Sequence, residues 1–173
     1  AQTIDVKADL NAPEFASSAS ILKLTASEAS ISVIATDGNG SGVSMYTAKF
    51  GSTELYSQNG LFNLIDLIPG TEYTLDVTVT DIAGNVATGT VKFTTESGTP
   101  SEIDPPSLTG TYGTAVKNMT ISGGSVKFGT ENVDGVWTIT DANAYDVPEV
   151  GTKNTYKLTF TPSTSAYKPV EAS

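Results

Sequence analysis

"LIPGTEYTLDVTVTDIAGNVATGTVKFTT", residues 67–95, decides the fold class. Within it Tyr73, Leu75, Val77 and Val79 alternate with Thr74, Asp76, Thr78 and Thr80, which is the period of a strand with one apolar and one wet face. "DIAGN" at 81–85 supplies a turn, and Val91 and Phe93 resume the alternation beyond it. Working outward, Ile31, Val33 and Ala35 follow the same rule, as do Tyr156, Leu158 and Phe160. Helical periodicity is not found, and short strands between Gly, Asn, Asp and Pro indicate an all-β chain of sandwich type.

Composition narrows what such a chain does. It has 173 residues, enough for one large domain or two small ones, and two is the expectation. Without cysteine there is neither a disulfide framework nor a thiolate metal site, and without histidine the commonest general base and zinc ligand is missing. All nine basic residues are lysine against nineteen carboxylates, and a net charge of −10 repels phosphate backbones and anionic membranes. Nucleic-acid binding is not expected. Nor is membrane insertion, since no apolar run reaches the roughly 20 residues of a spanning helix. "AQTIDVKADL", residues 1–10, lacks the apolar centre of a signal peptide. The low pI and abundant Thr, Ser and Gly are shared by many secreted bacterial surface proteins.

"ESGTPSEIDPP", residues 96–106, combines three prolines with three carboxylates and almost nothing apolar. Judged by its side chains it has no core to join and reads as a semi-rigid linker over 98–106. The expected organisation is therefore an N-terminal extension at 1–12, one sandwich at 13–97, the linker, and a second sandwich at 107–173. Both halves are acidic, with eleven acids and four lysines up to Ser97 and eight acids and five lysines after it.

The first half resembles a bacterial fibronectin type III-like module. Leu67, Pro69, Gly70, Thr71 and Tyr73 match its turn and tyrosine corner, and "DIAGN" matches its last hairpin turn. This half has no tryptophan, so aliphatic packing stands in for the usual core indole. The second half is similar to bacterial immunoglobulin-like surface repeats of the MBG or YDG kind. It matches them at "TYG" (111–113), "SGG" (122–124), "DGVWTITD" (134–141), "PEVGT" (148–152) and "FTPSTSAYKPV" (160–170). Trp137 and Ile139 are expected to share a core face with Tyr156, Leu158 and Phe160. Such repeats continue after "AYKPV" with one more strand, so the final strand here is expected to be absent or very short, leaving an open edge. The resemblance implies non-catalytic tandem immunoglobulin-like modules, a spacer, stalk or adhesive segment of a large secreted or cell-surface bacterial protein. Their partners would be neighbouring domains of the same parent chain, or a polysaccharide or host surface protein. The alternative is a carbohydrate-binding accessory module of a polysaccharide-acting enzyme or adhesin.

Candidate sites are few. In "TDGNGSGVSMY" (36–46), Asp37, Asn39, Ser41 and Gly42 occupy positions one, three, five and six of a calcium-loop pattern. Position twelve is Ala48 where an EF-hand requires glutamate, and the flanks are strands, so the EF-hand reading fails. In the fibronectin-like topology this loop shares a pole with residues 80–85, which would bring Asp37, Asn39, Asp81 and Asn85 together. Calcium held there is one reading, and side chains that cap turns through backbone hydrogen bonds are the other.

For carbohydrate, Tyr46, Tyr56, Tyr145 and Tyr167 are the aromatic rings that alternation does not clearly bury. Asp141 with Asp146, or Glu28 with Asp37, have the chemistry of an acid–base pair. With nineteen acids such pairs arise by chance, and no enzymatic function is expected. Lys23 and Lys92, the candidates for an isopeptide cross-link to asparagine, should point outward. "NGS" at 39–41 and "NMT" at 118–120 match the glycosylation sequon, although Asn39–Gly40 and Asn59–Gly60 are more simply turn dipeptides.

Overall fold

The computed structural model describes residues 8–149, 151 and 154–173. Residues 1–7 of the N-terminal extension, and Val150 and Thr152 of "PEVGT", lie outside them. The chain divides into two compact units, Ala1–Glu96 and Ser97–Ser173. Both are all-β with antiparallel strand pairing, and among the described residues the only helical turn is the 3-10 segment Val116–Asn118.

The strands of the first unit are β1 (Glu14–Phe15), β2 (Ser20–Leu24), β3 (Ala29–Ser32), β4 (Ala35–Thr36), β5 (Val43–Phe50), β6 (Thr53–Ser57), β7 (Leu61–Leu64), β8 (Glu72–Asp81) and β9 (Val86–Thr94). One sheet has the order β2-β3-β7 and the other β6-β5-β8-β9, with β1 and β4 forming a short ribbon. β8 faces the interior by unbroken alternation. Leu75, Val77 and Val79 of β8 are at most 2% exposed. With Ala48 of β5, Ile31 of β3 and Phe62 of β7 they form one continuous apolar core. Thr74 and Asp76 face solvent on the opposite side. Ile31, Val33, Ala35 and Phe93 are buried as expected, and Val91 is half-buried against the same core.

The tyrosine corner is formed. Tyr73 packs between a tilted Phe50 (5.3 Å between ring centroids) and a stacked Phe93 (5.7 Å), and its hydroxyl oxygen accepts a hydrogen bond from the Ile68 backbone N–H at 2.8 Å. Tyr73→Phe keeps the ring and removes only that acceptor. Because Ile68 is exposed and water can replace the hydroxyl, the expected loss is about 0.5–1 kcal/mol, read as a lower urea midpoint at unchanged slope.

The second unit contains β10 (Glu102–Asp104), β11 (Ser107–Thr109), β12 (Thr120–Ser122), β13 (Ser125–Phe128), β14 (Glu131–Asn132), β15 (Gly135–Ile139), β16 (Leu158–Pro162) and β17 (Val170–Ala172). They form the sheets β10-β13-β14, β11-β12 and β15-β16-β17. Trp137 lies opposite Phe160 and Ile139 opposite Leu158, with the indole tilted over the Phe160 ring at 5.2 Å, so the expected shared face exists. Tyr156 precedes β16 rather than lying in it. The last strand, β17, is three residues long and pairs only with β16 among the described residues.

The stretch read as a linker, 98–106, differs from that expectation. Glu102, Ile103 and Asp104 pair with Lys127, Val126 and Ser125. Gly98 bridges to Tyr167, its N–H donating to the Ala166 carbonyl (2.8 Å) and its carbonyl accepting from Lys168 N–H (2.8 Å). A sheet edge recruits backbone groups, which a polar extended segment offers as well as an apolar one. Side-chain composition therefore said nothing about it.

Candidate metal centre

Three segments meet at one end of the first unit: the lead-in residues 8–13, the loop 37–42 between β4 and β5, and the turn 82–85 between β8 and β9. The loop and turn are joined by Ile82 N–H donating to the Gly42 carbonyl (2.9 Å) and Ala83 N–H donating to Ser41 Oγ (3.0 Å). Gly42 N–H donates to Asp37 Oδ2 at 2.6 Å, which folds the loop around its own first carboxylate. At the turn, Asn85 donates from its backbone N–H to Asp81 Oδ1 and from its amide to Asp81 Oδ2, both at 2.8 Å. The lead-in is held by Asp9, whose Oδ2 accepts from Ser41 N–H at 2.6 Å and whose carbonyl accepts from the Asn85 amide at 3.3 Å.

The result is a cluster of Asp9, Asp37 and Asp81 in which one carboxylate oxygen from each lies within 4.8 Å of the others. Asp81 is 2% exposed. Asp37 Oδ1 is buried and has no hydrogen-bond partner. Hydrogen bonds from Ser41 N–H and then Asn11 N–H hold the Asp9 carboxyl below the usual aspartate range, so it is ionised at neutral pH. An open cleft of about 600 Å³ adjoins the cluster and is lined in part by Asp9, Glu14, Asp37 and Asn39. Carboxylate oxygens in this arrangement suit a hard cation.

Of the four residues expected here, the structure brings Asp37 and Asp81 together. Asn85 serves Asp81 as a donor, and Asn39 is exposed on the loop, where it lines the adjoining cleft. The turn-capping reading also holds for part of the site, since Asp37 and Asp81 both cap backbone N–H groups. Asp9 was missed. It sits in a segment without strand alternation, and no local pattern marks it as a neighbour of residues so distant in the chain.

The tyrosines separate sharply. Tyr46, expected to be a surface ring, is a correction: it is 6% exposed within the core, its hydroxyl accepting from Ala35 N–H at 3.1 Å. Tyr167 is half-buried against Phe128, with 5.7 Å between rings. Tyr145 is 75% exposed, but the Lys117 ammonium lies 4.1 Å from its ring centroid and occupies one face. Tyr56 is 67% exposed and donates its hydroxyl proton to Glu54 Oε2 at 2.8 Å, a bond that raises its pKa.

In each of the candidate carboxylate pairs, Asp141 and Glu28 have other partners. Asp141 accepts from Lys157 N–H and Asn143 N–H, both at 2.8 Å, and these bonds hold its carboxyl below the ordinary range as a turn cap. Glu28 is paired with Lys23 across the β2–β3 turn. Lys23 and Lys92 are both exposed, as expected from alternation. No helix of the described residues is long and apolar enough to cross a membrane.

No family model matches this chain, and no curated protein matches it. Among solved structures it is similar to the chitinase ChiA74 from Bacillus thuringiensis, with a TM-score of 0.45 and 15% identity. The alignment covers 91% of this chain and 18% of that one, so the chain spans under a fifth of the chitinase's length.

Proposed function

We propose that these are non-catalytic β-sandwich modules that act in series as a spacer segment of a larger secreted or cell-surface protein, with neighbouring domains of that protein as their partners. The observation that supports this reading is the route of the chain through the first unit. Asp9 packs at the Asp81 end of β8, where the chain comes in. Glu96 lies at the opposite, Glu72 end, its N–H donating to the Thr25 carbonyl (3.2 Å) and its carbonyl accepting from Gly70 N–H (3.1 Å). β8 has ten residues, so inlet and outlet are separated by about 33 Å of strand. A module that takes the chain in at one pole and releases it at the other adds its full length to whatever it connects.

A carbohydrate-binding accessory role competes with this, and Tyr56 is the ring that favours it, being exposed and held in place by Glu54. One aromatic face is a small platform for a sugar. Affinity electrophoresis through gels containing soluble polysaccharides tests the choice. The spacer reading expects unretarded migration, identical for wild type and Tyr56→Ala. Saturable retardation abolished by Tyr56→Ala would overturn it in favour of the accessory module. A broad hydrolase screen is expected to show no turnover.

A further inference from the structure

We propose that Asp9, Asp37 and Asp81 form a calcium site that clamps the lead-in segment onto the loop end of the first unit. The inference goes beyond the spacer reading and stands whether or not that reading holds.

Three carboxylates converge, and among the described residues no ammonium pairs with them: the ion pairs there are Lys23–Glu28, Lys127–Glu102 and Lys157–Glu171. Solvent cannot screen the charge on Asp81, which is 2% exposed. The independent mark is Asp37 Oδ1, a carboxylate oxygen removed from water with no donor to receive. A buried acceptor left in that state is unfavourable unless a cation or a donor meets it.

The surrounding amides meanwhile hold the carboxylates in place. Gly42 N–H is on Asp37 Oδ2, Ser41 and Asn11 N–H are on Asp9, and Asn85 is on Asp81. The ligands are thus arranged before the ion arrives, and only like-charge repulsion opposes them.

The donor chemistry selects the ion. The chain has no histidine or cysteine, so an all-oxygen set excludes the softer metals. Three carboxylates supply three oxygens, or up to six if bidentate, of the roughly six to eight that calcium takes. Their origin in a lead-in, a loop and a strand end suits calcium's tolerant geometry better than the strict octahedron of magnesium. Because Asp9 belongs to the lead-in while the other two belong to the sandwich, one ion ties that segment to the module, and its removal leaves three negative charges pushing the segment away.

The test is thermal melting of the full chain with calcium, with magnesium and with chelator, together with the rate of chymotrypsin cleavage after Leu10, which is 83% exposed. Calcium at about 100 times its dissociation constant should raise the midpoint by about 10 °C and slow cleavage at least tenfold. Asp9→Asn and Asp37→Asn should each lose most of that shift. Asp9→Asn, which removes a charge outside the sandwich strands, should melt in chelator no lower than wild type. No shift with calcium overturns the site, and an equal shift with magnesium overturns the assignment to calcium. A full shift retained in both variants places binding elsewhere and overturns the ligand set, while a shift without slower cleavage overturns the clamp.

Discussion

Leu75→Ala is expected to lower the melting midpoint of the N-terminal unit by roughly 10–20 °C. Leu75 is wholly buried in the middle of β8, opposite Val91 of β9, and belongs to the continuous core of the unit. Truncation removes the transfer free energy of the lost carbons and leaves a cavity that two hydrogen-bonded sheets cannot easily collapse. Leucine-to-alanine changes at such positions cost about 2–5 kcal/mol. Against a total of about 5–15 kcal/mol for a domain, this is a large share of the stability of the unit. Ile65→Ala is the control. Ile65 follows β7 and is 66% exposed, so its truncation should change stability by no more than about 0.5 kcal/mol. Calorimetry on both variants checks the pair, and equal effects would refute the assignment of the core.

Gly60→Ala should be nearly as severe for a different reason. Gly60 has φ +73°, and a Cβ built there would lie 2.0 Å from the Val33 carbonyl oxygen and 3.2 Å from Cε1 of Tyr46. The carbonyl is backbone, and Val33 N–H donates to the Gly60 carbonyl at 2.9 Å, so relieving the overlap means breaking that bridge. The left-handed conformation alone costs an alanine about 1–2 kcal/mol. With the displacement added, the expected loss is about 3 kcal/mol or more. Gly51→Ala separates the two contributions: its φ is +58° but no atom lies within 4 Å of its Cβ, so only the conformational cost of about 1–2 kcal/mol should appear. Urea midpoints of the two variants measure the difference.

The same neighbourhood explains one failure of sequence reading. In β5, "VSMYTAKF", apolar residues occupy both registers, Val43 and Met45 in one, Tyr46, Ala48 and Phe50 in the other. The pairing with β8 shifts between Val43 and Met45, so a bulge hands the inward face from one register to the other and sends Tyr46 into the core. Alternation does not reveal a bulge, and Tyr46 accordingly passed for a surface ring. β8 has no such ambiguity: its apolar residues hold one register from Tyr73 to Val79 without a break, and the strand was legible in full. The tyrosine corner was legible as well, because its turn and its ring lie within a few residues of each other.

By itself the sequence determined what depends on neighbours along the chain: the all-β class from the alternation in β8, the turns from their glycines, and the exclusion of thiolate and imidazole chemistry from composition. Tertiary structure alone decided that the polar stretch at 102–104 is a strand and that Asp9 joins Asp37 and Asp81. Both are matters of which backbone and side-chain groups meet across space. Pairing at a sheet edge is indifferent to side-chain pattern, and convergence of carboxylates from three separate segments is set by topology and not by spacing.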